Sequence, residues 1–192
     1  MTEIQLLAST HPDWTEAVLA DFDAFLIDHA NAEKKASGMA LSMAHHYPDK
    51  PEIVTAMVDL ALEELSHFRD VVRWLVARGL QLSKDVKDPY VNALREEVRT
   101  GQSAYFLDRL LVAGVIEARG AERFTLVAGA LPEGRLRSFY QAISRSEARH
   151  HSLFTQLAVA HFPVDLVTRR TQDLLEVEAR LIRELPIRAA LH

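Results

Sequence analysis

Two Glu-x-x-His quartets, Glu64-Leu65-Ser66-His67 and Glu147-Ala148-Arg149-His150, are the residues of this chain whose types and spacing can do chemistry. Residues three apart on an α-helix share a face, with Cβ atoms about 5–6 Å apart, so each quartet can place a carboxylate and an imidazole on one metal ion. Alone, such a quartet arises by chance in many helical proteins. The neighbouring residues give these two a direction. Around the first run Ile53, Met57 and Leu60, then Glu64 and His67, then Val71 and Trp74, in steps of four and three. Around the second run Leu136, Tyr140 and Ile143, then Glu147 and His150, then Phe154 and Leu157. That is the period of a helix's buried seam, so both quartets are expected to point inward.

The elements that must position them follow the same period. Two further stretches carry a single acid in an apolar seam: Phe22, Leu26, His29, Glu33, Ala36, Ala40, Met43, and Leu107, Leu110, Gly114, Glu117, Ala121, Phe124. Buried carboxylates without compensation would protonate or unfold the bundle. No Lys or Arg occupies a seam position, which argues against a bundle held by buried salt bridges. Two divalent ions would supply the positive charge missing around Glu33, Glu64, Glu117 and Glu147, and neutral His67 and His150 would complete a donor set of hard oxygen and borderline nitrogen. A Glu from each of two helices and a Glu-x-x-His from each of two others is the constellation of ferritin-like di-iron and di-manganese bundles. The expected fold class is all-α, a ferritin-like four-helix bundle with an additional C-terminal helix.

Composition narrows the field. A chain of 21.6 kDa is sized for one core, so residues 1–192 are read as a single ferritin-like di-iron domain. Hydrophobic content of 48% with 26% charged residues is that of a folded globular protein rather than a disordered one. There is no cysteine, which excludes disulfides, thiolate zinc sites and iron–sulfur clusters and leaves any metal to His and carboxylate. No apolar run approaches the ~18 residues of a membrane span, and the segment before Thr10 lacks the basic start and apolar stretch of a signal peptide. A cytoplasmic protein with no membrane partner is expected. The net charge of −5 does not advertise nucleic acid, but it is unevenly spread: residues 1–100 hold 10 basic and 17 acidic side chains, residues 101–192 hold 12 and 10.

In chain order, residues 1–12 read as an irregular lead and a first long helix is expected over about 14–46, with Asp21, Asp23 and Asp28 on solvated faces. His29, one turn before Glu33, reads as a hydrogen-bonding neighbour of that acid rather than a third ligand. His45 and His46 read as exposed histidines at the helix end, and His151 as a residue outside the donor set, because adjacent residues diverge by about 100° on a helix. Asp49 and Glu52 have the spacing of a capping box for a second helix that ends at Gly79. Residues 80–88 form a polar connection, and Pro89 opens a third helix to about 130, bent near Thr100-Gly101. Glu117 lies on its seam and Glu122 faces elsewhere. A fourth helix over about 135–161 and a fifth from Asp165, with Leu174, Val177 and Leu181 as its stripe and packing outside the core, complete the chain. No Gly-rich phosphate loop or Ser-His-Asp arrangement competes with the metal reading.

Taken together, Asn31-Ala32-Glu33-Lys34-Lys35-Ala36, Glu63-Glu64-Leu65-Ser66-His67-Phe68, Ile116-Glu117-Ala118-Arg119 with Glu122-Arg123-Phe124, and Ser146-Glu147-Ala148-Arg149-His150-His151 resemble the MiaE family of tRNA hydroxylases. The resemblance spans roughly residues 20–160 in the family's order and register. It implies a non-haem di-iron centre held by Glu33, Glu64, His67, Glu117, Glu147 and His150, with two iron ions preferred to manganese and O2 as co-substrate. It also implies hydroxylation of the isopentenyl side chain of 2-methylthio-N6-isopentenyladenosine, the prenylated adenosine of a tRNA anticodon loop. By likeness to other ferritin-like oxygenases, Glu64 and Glu117 are the expected bridges and Glu33 and Glu147 the terminal ligands.

Since the chain has no flavin or nicotinamide motif, electrons are expected from a separate reductase or electron-carrier protein. A monomer or small oligomer is expected, whereas the rival reading, ferritin- or rubrerythrin-like iron handling or peroxide removal, requires a large cage for storage. Phosphate contacts are sought among Lys34, Lys35, Arg119, Arg123, Arg145, Arg149, Arg169 and Arg170, some of which are expected to be taken up by Glu122, Asp173 or Glu176.

Overall fold

Breaks in the chain fall where the backbone is forced to turn. A computed structural model describes residues 4–84 and 86–192, so residues 1–3 and Asp85 of the predicted connection lie outside the described residues. Within the described residues the chain is wholly helical: α1 (Pro12–Ala20), α2 (Phe22–His46), α3 (Pro51–Ala77), α4 (Pro89–Glu96), α5 (Gln102–Ala130), α6 (Arg135–His161) and α7 (Val164–Glu184). The all-α class is as expected. The first long helix is divided, because Asp21 leaves the helical conformation and its side chain accepts from the Ala24 amide, capping α2. Asp23 and Asp28 are likewise engaged rather than merely solvated: Arg78 donates to Asp23 at 2.7 Å and the Leu191 amide to Asp28 at 2.7 Å.

The third helix is interrupted rather than bent. Gly101 sits at φ 94°, a conformation that ends any continuous helix, and separates α4 from α5. The break is held by Asp108 on α5, which accepts from the Arg99 amide and guanidinium and from Arg170 on α7. Burial opposes the charged form of Asp108, but the hydrogen bonds from Arg99 and Arg170 outweigh it and hold the carboxyl below the usual range. The Asp49 capping box does not form. Lys50 is the residue before α3 and gives no side-chain cap, Pro51 at the first turn needs no amide partner, and Asp49 takes the Lys50 ammonium instead.

The chain divides into two compact units, one containing α4 to α7 with the lead segment up to Glu16, the other containing α2 and α3. In the second, α2 and α3 pack as a hairpin, with Leu26, Ala40, Met43, Ile53, Met57 and Leu60 buried between them and Ser37 Oγ donating to the Ala61 carbonyl at 2.9 Å. In the first, α5 and α6 form the corresponding hairpin over Leu107, Leu110, Phe124, Tyr140 and Phe154. Gly114 permits close approach there: a Cβ on it would lie 2.8 Å from Ile4 Cδ1 and 3.2 Å from Phe154 Cβ.

Helix α7 is more deeply engaged than the sequence reading allowed. It packs on α5, α4 and α6, and its buried stripe is Val167, Thr171, Leu174, Leu175, Glu178 and Ala179 rather than the row through Val177 and Leu181. An acid in that stripe has a reason. Glu178 receives Arg119 of α5 through Nε at 2.7 Å and Nη2 at 3.0 Å, and the Tyr90 hydroxyl of α4 at 3.1 Å, with all three side chains buried.

Candidate metal centre

Each hairpin gathers two carboxylates and one imidazole. In the α2/α3 hairpin Glu33 lies one turn past His29 on the buried face of α2, and Glu64 and His67 lie one turn apart on α3. His67 Nδ1 stands 3.3 Å from Glu64 Oε2 and 3.6 Å from Glu33 Oε2, and one donor atom of each of the three residues lies within 4.8 Å of the others. In the α5/α6 hairpin His150 Nδ1 stands 3.5 Å from Glu147 Oε2 and 3.8 Å from Glu117 Oε2, and the three again offer atoms within 4.8 Å of one another. All six side chains are withdrawn from solvent, His67 the least so at 12% exposed. The seams place them there because an apolar residue precedes and follows each ligand at helical spacing.

Burial and charge oppose one another in the α2/α3 triad. Burial pushes the Glu33 carboxyl up, and the Glu64 charge pushes the same way, against hydrogen bonds from His29 and His67. Burial alone would lower His67, yet the hydrogen bonds and charges of Glu33 and Glu64 overcome it and raise the imidazole to about 10. The two buried carboxylates thus favour the protonated form of His67. A divalent ion held by Glu33, Glu64 and His67 would take the place of such a proton, since an imidazole ligates in its neutral form. The donor chemistry, two carboxylates and an imidazole in each hairpin with no sulfur, fits iron.

Beyond the six, His29 Nε2 forms a 2.6 Å hydrogen bond with Glu33 Oε1 in the core, the arrangement expected of a residue that orients a ligand. Position 113 on α5, one turn before Glu117, is alanine, so the α5/α6 hairpin has no equivalent. His45 and His46 are exposed and His151 lies off the buried row. Glu122 is turned away from Glu117, accepting from the Thr10 amide and hydroxyl at 3.0 and 2.6 Å and from Arg119.

That network removes two phosphate-contact candidates. Arg119 is fully buried on Glu178, and Arg123 is buried with its guanidinium 4.8 Å over the Trp14 ring. Arg170 is taken up by Asp108, and Arg169 pairs with Asp165 at 2.9 Å. Lys34 donates to Asn31 Oδ1 at 2.8 Å. The Arg119–Glu178 pair leaves one signal in the sequence, an acid among Leu174, Leu175 and Ala179 in the apolar row of α7.

Comparison with known proteins agrees with this arrangement. The chain is 36% identical to a solved protein titled "Protein 43 with aldehyde deformylating oxygenase activity from Synechococcus", with a TM-score of 0.92 over 97% of this chain and 94% of that one. The fold is the ferritin-like one expected. A tRNA 2-(methylsulfanyl)-N(6)-isopentenyladenosine(37) hydroxylase of Pseudomonas putida is 40% identical over 148 residues, 77% of this chain and 72% of that protein. The protein of the same name from Salmonella typhimurium is 35% identical over 131 residues, 68% of this chain and 48% of its own length. The family profile described as tRNA-(MS[2]IO[6]A)-hydroxylase (MiaE) matches residues 2–192, nearly the whole chain, and with the paired carboxylate–imidazole triads on the expected helices this chain belongs to the MiaE family of tRNA hydroxylases.

Proposed function

We propose that the chain hydroxylates the isopentenyl side chain of 2-methylthio-N6-isopentenyladenosine in tRNA, using O2 and two iron ions held by Glu33, Glu64, His67, Glu117, Glu147 and His150. The observation that carries this reading is the same donor set, two carboxylates and one imidazole, built once in each hairpin of a MiaE-family chain. On this reading the chain is one ferritin-like domain to which each unit contributes two carboxylates and one imidazole. Bound iron would supply reduction and activation of O2. Overall, one oxygen atom enters a C–H bond of the prenyl methyl group to give the alcohol, and the other leaves as water with two electrons and two protons from an external reductase or electron carrier.

The protein's own groups bind, orient and exclude water. Glu33 is held in one orientation by His29 through their 2.6 Å bond, and the apolar residues flanking each ligand keep bulk water from a reactive centre. Among the described residues no helix is long and apolar enough to cross a membrane. An anticodon-loop adenosine is already accessible in single-stranded RNA, so no duplex has to be opened to present it. A monomer or small oligomer suffices, since the reaction needs no storage cavity.

The test is incubation of anaerobically iron-loaded protein with prenylated tRNA, a reductant and O2, followed by nucleoside analysis. The hydroxylated nucleoside and about two iron ions per chain are expected, with Glu64→Ala losing iron and activity together. Iron or peroxide turnover with the nucleoside untouched, or a large cage on size-exclusion chromatography, would instead favour iron handling. The Synechococcus match raises a second reading, action on an aldehyde; consumption of an aldehyde under the same conditions, without change in tRNA, would select it.

A further inference from the structure

Among the cations of the α4–α7 unit, those of α6 stand apart because no exposed acid shares their helix. Arg119, Arg123, Arg99 and Arg170 are consumed by the buried network and by Asp108, and Arg169 by Asp165. Among the described residues no carboxylate pairs with Arg135, Arg137 or Arg145, all on α6. Between Gly134 and Val164 the one acid is Glu147, and it is buried. The exposed side of α6 thus carries no acid of its own helix. It presents Arg135, Ser138, Gln141, Arg145, Arg149 and Gln156, with Arg137 at its edge and Arg149 turned back to the Arg145 carbonyl at 3.2 Å.

At 100° per residue Arg145 and Arg149 project from the side of α6 opposite Glu147 and His150. From Arg135 to Arg145 the helix rises about 15 Å, at 1.5 Å per residue, a length that spans more than one phosphate of a nucleic-acid strand. Guanidinium forks match phosphate oxygens, and the interspersed hydroxyls and amides are further donors to sugar and phosphate. No base-reading aromatic side chain is exposed on this face, so it suits backbone contacts.

We infer that the outer face of α6, through Arg135, Arg137 and Arg145, is the surface that grips the phosphates of the tRNA anticodon stem, while the modified adenosine goes to the metal centre. This rests on the proposed reaction for the identity of the RNA. The division of labour explains how a chain of net charge −5 holds a polyanion: the acids are elsewhere or buried, and local charge governs binding. An acidic electron-carrier protein is the competing occupant of a basic face.

The test compares the iron-loaded parent with the Arg135→Gln/Arg137→Gln/Arg145→Gln variant, and with an Arg169→Gln/Arg180→Gln control on the exposed side of α7. Dissociation constants for unmodified and prenylated tRNA are measured across a salt series, and circular dichroism and iron content are checked for each variant. The α6 variant should bind both tRNAs at least about tenfold more weakly, and its log–log salt slope should be shallower by about 2–3, since each lost phosphate contact removes roughly 0.7–0.9 from the slope. The control should match the parent. An unchanged slope in a folded, iron-replete α6 variant overturns the inference, as does unchanged tRNA affinity with slowed reduction by an electron-carrier protein. The slope is read without turnover, so a parent that binds tRNA through this face but leaves the nucleoside untouched would sink the proposed reaction and leave the surface standing.

Discussion

Replacing Glu178 by alanine tests how α7 fixes the helix that carries Glu117. Arg119, two residues after Glu117 on α5, is fully buried and is held by Glu178 at 2.7 and 3.0 Å. Burial by itself would lower the Arg119 pKa, but the hydrogen bond and charge of Glu178 outweigh it and hold the guanidinium above its ordinary value. Removing one partner of a buried pair strands the other charge, at a cost of about 3–5 kcal/mol. Here Glu122, Thr10 Oγ1 and the Ala8 carbonyl still contact Arg119, so the lower end, about 3 kcal/mol, is expected. At roughly 2–4 °C per kcal/mol for a chain of this size, the melting temperature should fall by about 6–12 °C. Differential scanning calorimetry of parent and variant reads this directly. The Tyr90 hydroxyl also loses its acceptor, so iron content is a second readout: if Glu117 is a ligand as proposed, a looser α5 should lower it. The variant Arg119→Met/Glu178→Leu, which removes both charges, should recover most of the loss. A fall under about 1 kcal/mol for Glu178→Ala, or a double variant worse than the single one, would refute the stranded-charge account.

Gly114→Ala should destabilise by about 1 kcal/mol, because the new Cβ meets the movable tip of Ile4 at 2.8 Å but the fixed Cβ of Phe154 at 3.2 Å; urea denaturation measures it, and pairing with Ile4→Ala should restore only part. For Asp108, a carboxyl whose folded pKa is depressed adds stability that is present above its unfolded pKa, near 3.9, and is lost as pH falls through the lower folded value. Urea midpoints from pH 6 down to about pH 2 should therefore fall less steeply in Asp108→Asn than in the parent. A parallel decline would exclude Asp108 as a contributor.

The periodicity of the sequence determined the main elements and both quartets, because a seam residue's inward position is a local property of helix geometry. Ile53, Met57, Leu60, Leu110, Phe124, Tyr140 and Phe154 are buried as that period requires, and Glu33, Glu64, Glu117, Glu147 and His150 are buried with them. The resemblance in the motifs likewise sufficed for the family. Helix interruptions were less legible: Asp21 and Gly101 act through a cap and a positive φ, and neither residue type forces a break on its own. Tertiary structure alone decided which cations are spent. Arg119 and Arg123 look like surface arginines beside Glu117 until α7 and the lead segment bring Glu178, Thr10 and Trp14 against them, whereas among the described residues no acid pairs with Arg145. The 3.6-residue repeat fixes the direction of a side chain from its own helix, but its partner is set by contacts between residues as far apart as 10 and 119, for which local pattern carries no information.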